Sequence, residues 1–181
     1  MTEERQSLAR AKQEALDEAR TLQSDFDRIK QGLKAQIDSK ELLISNLRNE
    51  LSLTFMDKVL FSEGSAAITK DGARILDSVS VGLHGLANKR ILVVGHTDDL
   101  PIARPYRKVF PSNWDLSSAR AVAVTRYLQE KGGLPPEDLA AMARAYYEPV
   151  APNDTAENRQ KNRRVEIIIT NRKTAAELHR P

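Results

Sequence analysis

The sequence predicts an α/β sandwich, with helices packed on one small mixed sheet and a long helix in front of it. Three observations lead there. Residues 2–50 contain no proline and a single glycine, Gly32, and are rich in Ala, Leu, Glu, Lys, Gln and Arg, the good helix formers. From Leu51 onward, short apolar runs with β-branched residues alternate with stretches of helical spacing. Turn-forming clusters separate them, such as SEGS, the Gly132-Gly133 pair and Pro135-Pro136.

In the N-terminal part, one register places Leu8, Ala15, Leu22, Ile29 and Leu43 at one seam position and Ala19, Phe26, Leu33 and Leu47 at the other. That is the seven-residue repeat of a coiled coil, interrupted by Gln36 and Lys40, with Ile37 beside the seam. A lone helix of this length has no core of its own. A self-associating stalk over residues 1–50 is therefore expected, with a single amphipathic helix lying on the domain, or a frayed linker between domains, as the alternatives. LSLTFMDKVLF alternates like a strand. Thr69 or Asp71 caps a helix carrying Ile75, Leu76, Val79 and Leu83 inward. KRILVVG is a buried strand, followed by a polar, proline-bearing loop from His96 to about Ser112. Asn113 or Asp115 caps the next helix, with Leu116, Ala119, Ala123 and Tyr127 inward and Gly132-Gly133 at its end. A short turn near Glu137–Leu139 leads to a strand at MARAYY, then a polar loop from Glu148 to Arg163 and the final strand VEIIIT. The domain thus spans residues 51–170, and 171–181 read as a loose tail.

Composition removes several classes of function. The chain has no cysteine, so neither disulfides nor thiolate metal sites are available. It contains neither an apolar run long enough to span a membrane nor the apolar core of a signal peptide at its start; if the working protein is exported or anchored, those elements lie outside this chain. The net charge is +3, with nine Lys/Arg against ten Asp/Glu in residues 1–50 and nineteen against fifteen beyond. So mild a bias does not indicate nucleic acid, and the basic run NRQKNRR lacks interleaved aromatics for stacking bases. GxSxG, HExxH and a glycine-rich phosphate loop are all missing.

The chemistry concentrates in ILVVGHTDD, NWDLSSARA and NRRVEIII. His96, Asp98 and Asp99 match no zinc spacing, and His84 and His179 lie in unrelated segments, so no metal is expected. Adjacent carboxylates on extended chain point opposite ways, which argues against an acid/base dyad at Asp98-Asp99. Asp98 follows a strand end, where open α/β sheets place ligands, although a turn cap is the alternative there and the better reading for Asp99. Arg120 sits among small alanines one turn into a helix. If buried, it requires a carboxylate or phosphate for its planar fork; otherwise it snorkels to solvent or pairs locally. Asn113 is a helix cap, a ligand-facing amide, or both. Of Arg163 and Arg164, one should face each side of the strand. Asp98 and Arg120 together suit a ligand carrying both an ammonium and a carboxylate.

DKVLFSEGSAAIT, GHTDD, SNWDLSSARA with a following L-x-x-x-G, and NRRVEIII occur in the order found in the OmpA-like domain. This is the peptidoglycan-binding module of outer-membrane protein A, the Pal lipoprotein and the MotB stator subunit, and the chain resembles it over about Leu51 to Thr170. GHTDDLPI and SNWDLSSARA look most like the MotB branch, whose single transmembrane helix this chain lacks. The resemblance implies a βαβαβ-type sandwich that binds peptidoglycan without catalysis or cofactors. It implies that Asp98 meets the ammonium of a diaminopimelate side chain and Arg120 its carboxylate. Asn113, Arg163 and Arg164 would lie at the same pocket, with Thr97 supplying backbone contacts. It further implies a periplasmic location and a membrane-embedded partner reached through an upstream region, while the heptad stalk predicts a homodimer. A general envelope tether or a secretion-system component is the alternative, with a wall-modifying enzyme as a third class. Two departures from the family stand out: a longer segment from Leu100 to Pro111, expected to cover part of the pocket mouth, and Gly64 where some relatives carry a polar contact residue.

Overall fold

The computed structural model describes residues 2–47, 50–86 and 88–172. A five-stranded sheet carries the site. Its strands are β1 (Leu43–Leu47), β2 (Glu50–Met56), β3 (Lys89–His96), β4 (Leu139–Ala145) and β5 (Arg164–Asn171), in the order β1-β2-β5-β3-β4. All neighbours are antiparallel except β3 and β4. The parallel pair requires a crossover, supplied by helix α5 (Asn113–Glu130). The mixed α/β architecture expected from the alternation of elements is the one observed.

Strand alternation explains the single core. Leu51, Leu53 and Phe55, Val165, Ile167 and Ile169, and Ile91 and Val93 all turn to one face and are buried there. Over them lie α5, through Ala121, Val124 and Leu128, and helix α4 (Lys70–Leu83), through Ile75, Leu76, Val79 and Leu83. The Thr69 hydroxyl caps α4 by accepting from the Gly72 amide at 3.0 Å. The inward face of α5 is rotated by about one residue from the expected one: Ala123 and Tyr127 are only partly buried, while Val124 and Leu128 are fully buried.

The N-terminal region departs from a continuous stalk. Helix α1 (Thr2–Gly32) stops at its only glycine and is followed by the short α2 (Lys34–Asp38). Leu43 and Leu47, expected in the helical seam, instead lie on β1, paired with Thr54 and Glu50. Sheet pairing overrides helical propensity there. The seam itself is divided. Residues 4–21 are exposed, including Leu8 and Leu16, whereas Leu22, Ile29 and Leu33 are buried in the domain's own core. Ile29 packs over Gly82 of α4. The loop before β5 also contains an unexpected helix, α6 (Ala156–Asn162), capped by Thr155. Strand β5 extends through Asn171, and Arg172 bonds the Asn88 carbonyl; the remainder of the expected tail, 173–181, lies outside the described residues.

Gly95 decides how closely α5 approaches the sheet. A Cβ at this position would run into the carbonyl of Ser117. Gly95→Ala should lower stability by about 1–3 kcal/mol, the usual overpacking cost, and reduce Tm by several degrees in a thermal melt followed by circular dichroism.

Candidate functional site

Four charged side chains from four places in the chain meet beside the C-terminal end of β3. Arg120, on α5, is 2% exposed and donates from Nη1 to Asp57 Oδ2 at 2.9 Å and from Nε to the Ser65 carbonyl at 3.1 Å. Its guanidinium also lies 5.2 Å from the centre of the Phe61 ring. Asp57 opens the single-turn helix α3 (Asp57–Leu60) directly after β2. Arg163, just before β5, donates from Nη1 to Asp98 Oδ2 at 2.5 Å, and its Nε lies 3.8 Å from Asp57 Oδ2. The result is a chain of alternating charge, Arg120–Asp57–Arg163–Asp98. Burial holds the pKa of Arg120 below its ordinary value, and the adjacent Asp57 charge and hydrogen bond offset this only in part. A guanidinium remains protonated in such a setting.

All four line a cavity of about 420 Å³, together with Thr97, Asn113, Leu116, Lys58 and Gln160. Asp98 and Arg120, proposed from sequence to act jointly, therefore face the same space, although each has its own protein partner. Asn113 is not the helix cap. Ser112 holds that position, in a reciprocal capping box with Asp115, which frees the Asn113 amide to donate to the carbonyls of Leu100 at 3.0 Å and Asp98 at 3.3 Å. Those bonds staple the turn after β3 to the start of α5. Within that turn the Asp98 carboxylate also accepts from the Leu100 amide, so it both caps the turn and faces the cavity. Thr97 lines the cavity, but its amide donates to the Ala145 carbonyl and its hydroxyl to the Asp98 carbonyl. An N–H contact to a ligand is thus not available from Thr97. Asp99 is exposed.

Arg164 is the expectation the geometry corrects. Strand alternation sends it to the opposite side from Arg163, where it donates to Glu166 at 2.6 Å and to the carbonyls of Glu148 and Asn162. It does not line the cavity. Asp57 is the residue sequence reasoning missed. Its signal was present in LSLTFMD, where Leu51, Leu53, Phe55 and Asp57 share one register, placing a carboxylate at a core position. The long segment after β3 forms part of the cavity wall, through Leu100, Pro101, Ile102, Ala103, Tyr106 and Phe110. Gly64, at φ +63°, lets the Tyr106 ring lie against the turn, where any Cβ would collide with it.

Comparisons with known proteins agree with this architecture. The OmpA family matches residues 60–163, more than half of the chain. YtxE of Bacillus subtilis is 39% identical over 146 residues, covering 80% of this chain and 56% of that protein. Motility protein B of the same organism is 35% identical over 157 residues, covering 84% and 59%. The chain therefore spans a little over half the length of these relatives. Among solved structures, the cell wall anchor of the T6SS from Pseudomonas aeruginosa is 31% identical with a TM-score of 0.72, over 79% of this chain and 96% of that one. The periplasmic domain of Helicobacter pylori MotB is 28% identical with a TM-score of 0.67, over 76% and 85%.

His96 lies on the sheet face opposite Arg120, with its Nε2 3.8 Å from Glu166 and neither ring nitrogen bonded to a protein group. Burial, and then the charges of Arg164 and Arg144, push its pKa from 6.5 down to about 3. Below pH 6.5 the unfolded chain takes up a proton that the native ring refuses, so stability falls as pH drops through that window. Urea denaturation between pH 7 and pH 4 should give a flatter stability profile for His96→Gln than for the parent; parallel profiles would contradict the assignment.

Proposed function

The chain belongs to the OmpA family, and on that premise we propose that it is a non-catalytic anchor binding the diaminopimelate-containing stem peptide of peptidoglycan. The observation that carries this reading is the arrangement of Asp98, Arg163, Asp57 and Arg120 as alternating charges along one cavity. Diaminopimelate ends in an ammonium and a carboxylate on the same carbon. Asp98 meets the ammonium, while Arg120 and Arg163 offer planar donors to the carboxylate. Asp57 holds the two arginines at the spacing this requires, and Asn113 fixes the turn that carries Asp98. Of the three carboxylates lining the cavity, Asp57 and Asp98 are already held by arginines, an arrangement suited to recognising charge rather than moving protons. A stem residue lacking the terminal carboxylate leaves Arg120 and Arg163 without an anionic ligand.

Likeness to Motility protein B and to a cell wall anchor supports a role outside the cytoplasmic membrane, holding a membrane-embedded assembly to the wall. A flagellar stator is the specific form proposed, and the secretion-system relative favours a wall tether in another envelope machine as the second reading. Among the described residues no helix is long and apolar enough to cross a membrane. The homodimer is proposed to form through residues 4–21, whose apolar side chains the domain leaves uncovered.

Calorimetric titration with a diaminopimelate tripeptide should show binding that Asp98→Ala weakens by roughly thirtyfold or more, in line with the loss of a desolvated charge contact. Arg120→Lys, which keeps the charge but loses the fork, should weaken it as well. A tripeptide with lysine in the third position should bind the parent poorly; equal affinities throughout would reject the site. Light scattering should report a dimer for the full chain and a monomer once residues 1–21 are removed, and a monomeric full chain at high concentration would exclude the stalk.

A further inference from the structure

Just outside the cavity stands a group of aromatic rings that the charge recognition does not use. Trp114 is the chain neighbour of Asn113, which lines the cavity, yet it is 48% exposed. The Tyr147 ring stacks on it, with centroids 5.6 Å apart and planes inclined by 29°, and Tyr146 stacks on Tyr147 at 4.4 Å and 26°. Tyr146 and Tyr147 are 37% and 59% exposed. Three adjoining rings in water are an unfavourable surface for an isolated domain to keep.

The rings are held in place by a strained backbone. Ala145, fully buried, has φ +48°, a left-handed conformation that a residue with a Cβ adopts only under strain. It sits where the β3–β4 register slips beside Gly95 and His96. The Ser117 hydroxyl accepts from its amide at 3.3 Å, and its carbonyl accepts from the Thr97 amide at 2.8 Å. This irregularity ends β4 and turns Tyr146 and Tyr147 toward Trp114. Hydrogen-bonding groups border the rings: the Tyr147 hydroxyl bonds that of Tyr146 at 3.2 Å, and the Arg144–Glu148 ion pair closes at 3.0 Å. The hydrogen bond with Tyr147 is the main cause of a raised Tyr146 pKa, and the charge of Asp99, next to Asp98, adds to it.

We propose that Trp114, Tyr147 and Tyr146 form a second subsite, which stacks on the pyranose rings of the peptidoglycan glycan strand. This rests on the stem-peptide reading of the cavity. A pyranose presents a face of C–H groups that packs on an aromatic ring, and an edge of hydroxyls that suits the polar border. The ligand's covalent structure demands such a neighbour. A stem whose third residue occupies the cavity places its sugar only about 10 Å away along extended chain, and the aromatic group begins one residue from the cavity wall. A protein partner is the competing occupant.

Trp114 is the only tryptophan in the chain, so its emission reports on this subsite directly. Peptide-free glycan strands, released by an amidase, should shift that emission to the blue in a saturable manner. Trp114→Ala and Tyr147→Ala should each weaken binding of a disaccharide-tripeptide by about fivefold to tenfold, with affinity for the free tripeptide within about twofold of the parent. Trp114→Phe, which keeps a ring, should recover most of the loss. Unchanged emission with glycan strands, equal losses for both ligands, or no loss for either would overturn the proposal. Failure of the parent to bind the free tripeptide would instead remove the cavity reading, leaving the emission titration to decide the aromatic subsite alone.

Discussion

The ion pair between Arg120 and Asp57 is the constraint around which this domain is arranged. A guanidinium almost without solvent contact requires a carboxylate within bonding distance, and here the carboxylate comes from just past the end of β2, 63 residues earlier in the chain. Removing one partner of such a pair typically costs about 3–5 kcal/mol, because the remaining charge stays buried. The pair therefore fixes α5 against the junction of β2 and α3. Arg163 then bridges Asp57 to Asp98, adding the end of β3 and the start of β5 to the same cluster.

The packing that permits this is equally specific. Gly95 brings α5 against β3, and Asn113 ties the turn after β3 to the first turn of α5. Asp98 and Arg120 are thus referred to one rigid body, although they stand on a loop and a helix. Opposite charges can lie close together and still face a cavity because each is first balanced by a protein group.

Much of this was legible in the sequence. The alternation of LSLTF, the apolar runs of ILVV and VEIII, and the cap at Thr69 marked strands β2, β3 and β5 and helix α4, since these depend on local pattern. Asp98, Arg120 and Arg163 stood out as charges at element ends. What was hidden depended on tertiary pairing. Leu43 and Leu47 fit a heptad, but the edge of β2 recruits them into a strand. Asn113 resembled a cap because Ser112 beside it offers the same chemistry with better geometry. Helix α6 is only seven residues of polar sequence and has no apolar period to announce it. Arg163 and Arg164 separate only once the strand's facing is known. Asp57 was readable from register, yet an isolated carboxylate in an apolar run has no partner visible along the chain.

The way α1 meets the domain has a mechanical meaning. Its first part projects free, whereas its last turns are keyed into the hydrophobic interior by Leu22 and Ile29, with Leu33 buried just past its end and Asp25 3.8 Å from Lys89 of β3. Tension drawn along that projecting rod would not reach the charge cluster first. It would load the helix seam against α4 and then the β1–β2 ladder, so those contacts act as a fuse whose rupture force limits what the rod can transmit.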